Sequence, residues 1–483
     1  MASLPTALSD RVSRRRLTSY RRPYLTGSLP LLVGALVVIP LVALLFSEGC
    51  AAYGQGINLT ILLAWVLVWI FRNAESSYMA WTLLAARIGT VAVATIFIEP
   101  YYLSRTGSDA ELYHSVGMQM AQTLWTTGTL PITSLNWGTN CYSVYTGVCY
   151  LLFGPYPLAV KLVNTGIAAV GSILFYKAYV FYYGRRNLAL QLLLFFSPAL
   201  LYWSSIHGKD PLTFFSLGLG FWGTAKFTRE GSRKGFFVCL LAALFLFVIR
   251  PHVACVYLGA LSVVFLFRSL SAKKSAATRI ASVACLILVV LTANFVINDY
   301  IQDGASSADA ILVRVSNQHD GLDTGNSALE VPSLRGWQGA LAYLPYGAVT
   351  VMFRPFPWES GGFFFKLTSA EQLLLSGAEL VFIGCLLFAL LNGSFRGMRQ
   401  IFTRDPVDAL AVFVTAYLIG FVLLFTYIAG NLGSLAREKI QLAPFVWCGA
   451  FAVASRYGTA HRPFYARLIG ASVPRRKWLI SKR

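Results

Sequence analysis

The feature that most constrains this chain is a recurrence of apolar runs of roughly 17–25 residues, each long enough to cross a hydrocarbon core as a helix. They fall at 29–47, 57–71, 79–98, 157–183, 188–206, 211–227, 236–250, 252–267, 280–298, 371–391, 406–428 and 440–455. Only 12% of the 483 residues are charged and 56% are hydrophobic, about half the charge of a soluble domain. The pattern predicts an all-α, polytopic membrane protein with about twelve transmembrane helices.

The net charge of +20 would suit nucleic acid, but its distribution points to a membrane. If the runs alternate from an inside amino terminus, the basic clusters fall on one side. These are Arg14-Arg15-Arg16, Arg185-Arg186, Arg233-Lys234, Lys273-Lys274, Arg396/Arg399/Arg404 and Arg475-Arg476-Lys477. Asp299, Asp303, Asp309, Asp320, Asp323 and Glu330 fall on the other. That is the positive-inside asymmetry, so membrane lipids rather than nucleic acid are the expected partners. The first run ends in Phe46-Ser47-Glu48-Gly49-Cys50 without a small-x-small cleavage pattern and reads as a retained span. The eight cysteines show no metal-binding spacing; Cys141 and Cys149 share an outer loop and could pair or remain free thiols.

The chain then divides into a basic tail (1–28), an amino-terminal hairpin of spans (29–78), a core (79–298) with a large outer loop at 99–156, a second outer loop (299–370), carboxy-terminal spans (371–455) and a basic tail (456–483). In the first loop, Val116, Met120 and Leu124 are spaced for a helix lying on the membrane. In the second, the short apolar run 340–353 is followed by Pro355 and Pro357 and reads as re-entrant or interfacial.

Charge is scarce on the outer side, which makes its clusters informative. Residues 107–114 read Gly-Ser-Asp-Ala-Glu-Leu-Tyr-His, gathering Asp109, Glu111 and His114. Further along, His207-Gly208-Lys209-Asp210-Pro211, Arg250-Pro251-His252, Arg354 with Glu359, and Arg437-Glu438-Lys439 all stand at outer ends of spans. A single such charge is often an interfacial anchor. Five outer cations at Lys209, Arg250, Arg354, Arg437 and Lys439 favour a shared anionic ligand, and a guanidinium fork suits phosphate oxygens. A carboxylate facing that anion is placed for proton abstraction. Together these features describe glycosyl transfer from a polyprenyl-phosphate carrier. Asp109 and Glu111 are the catalytic candidates, and Lys209, Arg250, His252, Arg354 and Arg437 the phosphate-binding ones. His114, Asp210, Glu359 and Glu438 would support them. Mid-span charges are few: Glu379, expected to be hydrogen-bonded within the bundle, and Arg87.

Four stretches carry a family resemblance: Ser108-Asp109-Ala110-Glu111-Leu112-Tyr113, Tyr150-Leu151-Leu152-Phe153-Gly154, Lys161-Leu162-Val163-Asn164, and Phe196-Ser197-Pro198-Ala199-Leu200-Leu201-Tyr202. They resemble the GT-C superfamily of polyprenyl-phosphate-dependent glycosyltransferases, over roughly residues 80–270. The resemblance implies surface helices in the first periplasmic loop and Asp109 as catalytic carboxylate, either a base or a ligand to an optional divalent metal (magnesium or manganese). It also implies a polyprenyl-phosphate-linked sugar donor, a glycan or glycolipid acceptor, and a place in the bacterial inner membrane with the site periplasmic. The extra amino-terminal hairpin departs from the family pattern, as does the lack of a large soluble carboxy-terminal domain. The later motifs also resemble exopolysaccharide and O-antigen assembly proteins, which keeps open a polymerase acting on pyrophosphate-linked repeat units. A transporter is the third reading, although no internal repeat supports it.

Overall fold

The computed structural model describes residues 48–100, 109–129, 138–270, 276–301, 336–359, 363–391, 407–429 and 431–460. The run 29–47, the tail 1–28, most of the tail 456–483, Lys273-Lys274, Arg396/Arg399/Arg404 and the acids from Asp303 to Glu330 lie outside the described residues. The elements are helices α1 (Glu48–Asn73), α2 (Ser77–Val93, continued by a π turn Ala94–Ile98), α3 (Asp109–Thr127), α4 (Thr139–Phe153), α5 (Pro157–Tyr183), α6 (Leu188–Phe196), α7 (Pro198–Trp203) and α8 (Asp210–Glu230). They continue with α9 (Arg233–Ile249), α10 (Pro251–Leu270), α11 (Ala276–Ile301), α12 (Gly336–Phe353), α13 (Phe363–Leu391), α14 (Val407–Ile428), α15 (Leu432–Glu438), a 3-10 turn (Lys439–Gln441) and α16 (Ala443–Ala460). Among the described residues, five stretches are long and apolar enough to cross a membrane: Gly54–Asn73, Ser77–Ile98, Pro157–Tyr183, Lys366–Leu387 and Ala409–Ile428.

The hub is α8, because its glycines let three neighbours come close. A Cβ on Gly218 would meet the Gly171 carbonyl oxygen of α5 at 2.8 Å, one on Gly220 the Tyr257 hydroxyl of α10 at 2.5 Å, and one on Gly223 the Gly235 carbonyl oxygen of α9 at 2.9 Å. Small residues at such crossings allow backbone-to-backbone packing that larger side chains would block. Around this axis Phe175, Phe214, Phe221, Phe413 and Phe445 fill the core, all fully buried.

The bundle sorts charge to its two ends. At one end the Arg229 guanidinium donates to the Tyr182 carbonyl at 3.1 Å, Arg186 pairs with Glu75 at 3.1 Å, and Lys177 donates to Asn73 at 2.6 Å. At the other end the starts of α3, α4, α8 and α10 meet the ends of α9 and α15, and the acids and bases described below gather there.

One expected element folds differently. The run 188–206 is broken into α6 and α7, because Pro198 cannot continue a helix and Ser197 turns extended before it (ψ 126°). Glu371 of α13 caps the break, accepting the Ser197 hydroxyl and the Ala199 N–H, the latter at 2.7 Å. The run 340–353 becomes an 18-residue helix, α12. The Ala340 carbonyl accepts the Tyr427 hydroxyl at 2.9 Å, the Tyr343 ring lies 6.4 Å from that of Tyr427, and Gly347 abuts Thr426. Positions two turns apart on α12 thus meet one turn of α14, so α12 crosses the end of that helix rather than running beside it. Cys141 and Cys149 carry free thiols, and eight residues along one helix separate them by about 12 Å, beyond disulfide reach.

Gly218→Val is expected to destabilise the protein by about 1–3 kcal/mol through overpacking against the α5 backbone. Gly259→Ala, which meets nothing within 4 Å inside helix α10, should raise stability by about 0.5–1 kcal/mol. Thermal unfolding of the two variants in detergent, followed by tryptophan fluorescence, measures the difference.

Candidate functional site

Local sequence places the charged residues at helix ends. Pro211 sits in the first turn of α8, where a missing N–H costs nothing, and this puts Asp210 at the helix N-terminus, which favours a carboxylate. Pro251 stops α9 one residue earlier, so Arg250 adopts an extended backbone (φ −147°, ψ 83°) between two helices. Asn431 starts α15 by accepting the Ser434 N–H at 2.7 Å, which sets Arg437 and Glu438 at its end.

These ends interlock as an alternating chain of charges. Asp210 is fully buried and divides its carboxylate: Oδ1 accepts from Arg250 Nη2 at 2.6 Å and Oδ2 from Arg437 Nε at 2.7 Å. Arg250 also donates through Nη1 to Glu438, which in turn accepts from Gln441. Arg437 donates through Nη1 to Asp109 at 3.2 Å, a link whose acid side chain is 60% exposed. Burial alone would lower both guanidinium pKa values. Glu438 and Asp210 outweigh it at Arg250, and Asp210, Glu438 and Asp109 outweigh it at Arg437, so both are held above the ordinary value.

A cleft of about 360 Å³ opens over this chain. Asp109, Lys209, Arg250, His252, Arg437 and Glu438 line it together with Gly138 and Thr139. Lys209 Nζ donates to the Thr139 hydroxyl at 3.3 Å and lies 5.9 Å from the Tyr113 ring. Burial, reinforced by Arg250, pushes its ammonium down to about 8. The His252 ring stands edge-on to Phe425, 6.4 Å between centroids. Beneath the cleft His207 Nε2 lies 3.2 Å from the Thr146 hydroxyl, and burial, with Lys161 and His114 nearby, pushes this imidazole down to about 3. It is therefore neutral at physiological pH.

Four of the sequence candidates stand elsewhere. Glu111 is exposed on α3, two residues from Asp109 and hence on a different face of the helix. His114 Nδ1 is 2.7 Å from the Tyr150 hydroxyl. Arg354 and Glu359 pair with each other at 2.5 Å, and Glu359 also accepts the Phe356 N–H at 2.9 Å. Their loop is fastened from below by Lys439, which donates to the Arg354 carbonyl and, at 2.8 Å, to Gln372. Burial pushes Lys439 down to about 7 against the opposing pull of Glu379 and Glu359. Both carboxylate oxygens of Glu379 are buried without a hydrogen-bond partner, contrary to the expectation that the bundle would supply one. Arg87 is buried as well, donating to Ser204 at 2.6 Å and Ser172 at 2.8 Å.

The sequence reading missed Gly138, Thr139 and Trp203. Gly138 has φ 91°, and its N–H bonds the Val248 carbonyl at 3.1 Å, which draws α4 against the end of α9 and brings Thr139 under Lys209. Trp203 ends α7 with its ring 5.6 Å from the Arg437 guanidinium carbon, a cation–π contact. The aromatic-rich stretch before His207 was the only signal for it.

A divalent ion at Asp109 would compete with the Arg437 guanidinium for that carboxylate, and among the described residues no group of three His, Cys, Asp or Glu side chains converges. What the cleft can do is hold an anion between fixed cations beside an accessible carboxylate. Compared with known protein families, curated proteins and solved structures, the chain matches none.

Two outcomes follow from this geometry. Asp210→Ala would remove the buried carboxylate shared by the buried Arg250 and the partly exposed Arg437 and should cost about 3–5 kcal/mol, against about 1 kcal/mol or less for Asp109→Ala, both read from thermal unfolding. Lys209 is charged below its pKa of about 8 and neutral above it, so sulfate, whose own charge is constant there, should bind several-fold more weakly at pH 9 than at pH 7. Lys209→Gln should bind weakly at both pH values, and calorimetry reads the contrast.

Proposed function

We propose that this protein is a membrane glycosyltransferase that moves a sugar from a polyprenyl-phosphate-linked donor to a glycan or glycolipid acceptor in cell-envelope polysaccharide synthesis. In this reading the chain crosses the bacterial inner membrane about twelve times, keeps both ends in the cytoplasm and opens its cleft to the periplasm. The observation that carries the proposal is the meeting of Asp109 with Arg437, a contact between residues 328 apart in sequence, in a cleft that also holds Lys209 and Arg250.

The chemistry follows from the placement. The donor phosphate lies against Arg437 and Lys209. Asp109 takes the proton of the acceptor hydroxyl as its oxygen bonds to the anomeric carbon. The bond from that carbon to the phosphate oxygen breaks, and the electron pair leaves with the phosphate, whose added charge the fixed cations stabilise. Glu111, exposed and away from the cleft, has no part in this sequence.

A second reading has an observation of its own. Two guanidinium groups joined through Asp210, with Lys209 beside them in the same cleft, offer several cationic donors for a pyrophosphate, as a polymerase of lipid-linked repeat units would need. Product analysis separates the two, since a polymerase yields a ladder of repeats and a transferase adds one sugar.

Asp109→Asn should lower transfer from a synthetic prenyl-phosphate sugar by about a hundredfold or more while the protein inserts and unfolds as wild type does. Near-normal transfer by this variant would remove Asp109 from the role. Solute flux in proteoliposomes with no glycosyl product would shift attention to Glu379 and Arg87 and to transport.

A further inference from the structure

We infer that Asp109 occupies the place of the substrate's phosphate on Arg437, so that the arriving anion displaces the carboxylate and thereby frees it to act as the base. This rests on the phosphate-binding reading of the cleft given above.

The links in the charge chain are graded by depth. Asp210 is 0% exposed and Glu438 16%, and both hold Arg250, itself 6% exposed. Arg437 turns its Nε inward to Asp210 at 2.7 Å and its Nη1 outward to Asp109 at 3.2 Å. The outermost link is therefore also the longest. This link is open to a ligand in the cleft, because Asp109 and Arg437 both line it and Asp109 is 60% exposed.

Charge balance requires an exchange. Three carboxylates (Asp109, Asp210, Glu438) face three cations (Arg250, Arg437, Lys209), so the cluster is already neutral. A phosphate added to it brings surplus negative charge unless a carboxylate withdraws. Asp210 cannot withdraw without breaking its bonds to both guanidinium groups, and Glu438 cannot without removing one of the two carboxylates that hold the buried Arg250. Asp109 can, because water and the N-terminus of α3 solvate it once released.

The exchange is one of hydrogen bonds. Phosphate oxygens accept the Arg437 Nη N–H groups that Asp109 Oδ2 relinquishes, and no covalent bond changes. Its effect is ordering: while the donor is absent, Asp109 Oδ2 is engaged by Arg437 Nη1. Once the donor is seated, that oxygen faces the acceptor hydroxyl. Asp109 thus serves as both sensor and base.

The test is a binding measurement on the purified full-length protein in detergent, with inorganic phosphate and farnesyl phosphate as probes. Asp109→Asn and Asp109→Ser, which retains a helix-starting side chain, should bind phosphate about two- to fivefold more tightly than wild type, equivalent to about 0.4–1 kcal/mol. Glu111→Gln makes the same change in charge two residues away and should leave affinity unchanged. A gain with farnesyl phosphate alone supports the exchange at a lipid headgroup, and a gain with both probes supports it for phosphate in general. Equal or weaker binding by both Asp109 variants, with wild type still binding, overturns the exchange and leaves the phosphate site standing. Equal tightening by Glu111→Gln overturns it too, since net charge alone would then account for the gain. Failure of every protein to bind either probe overturns the phosphate reading and the exchange together.

Discussion

One buried carboxylate holds the charged end of this protein together. Asp210 gives one oxygen to Arg250 and the other to Arg437, joining the junction of α9 and α10 to α15 through the first residue of α8. Two guanidinium groups at such depth would repel each other and face a large desolvation cost. With Asp210 between them they become a fixed pair whose outer edge faces the cleft. The arrangement depends on α8 standing at the centre, and α8 stands there because Gly218, Gly220 and Gly223 admit three neighbours.

The architecture separates support from recognition. Aromatic packing around Phe175, Phe221 and Phe445 gives a rigid interior whose position does not depend on the charged end. The charged residues then project from helix ends set by prolines and caps. Fixed cations of this kind need no reorganisation when negative charge develops, which is the condition for electrostatic stabilisation.

Much of the site was legible in the sequence because cations on the side expected to be outer break the positive-inside pattern. Lys209, Arg250 and Arg437 stood out on that ground, and Asp210 and Glu438 came with them as neighbours in sequence. Pairing was not legible. Arg354 and Glu359 carry the same signal as Arg250, yet they close on each other across five residues. Which cation finds a distant partner is decided by helix packing, and hydropathy does not report packing. Asp210 illustrates the same limit: it read as a supporting acid beside Lys209, whereas its partners lie 40 and 227 residues away. In the fold, helical class and the apolar runs followed from composition and period. The break at Ser197 did not, although Pro198 was in plain view. An apolar proline-containing run can kink or stop, and here the choice falls to Glu371 of α13, which satisfies the groups freed by stopping.

That capped break also gives the bundle a mechanical linkage. Six residues of α7 connect the Glu371 carboxylate at one end to the Trp203 ring under Arg437 at the other. A helix that short leaves few residues between the two contacts, so where α13 holds its start bears on where the indole meets the guanidinium. Arg437 is thereby steered from two directions, electrostatically by Asp210 and sterically by an indole anchored to a different helix, and displacement of either support is felt where the substrate would lie.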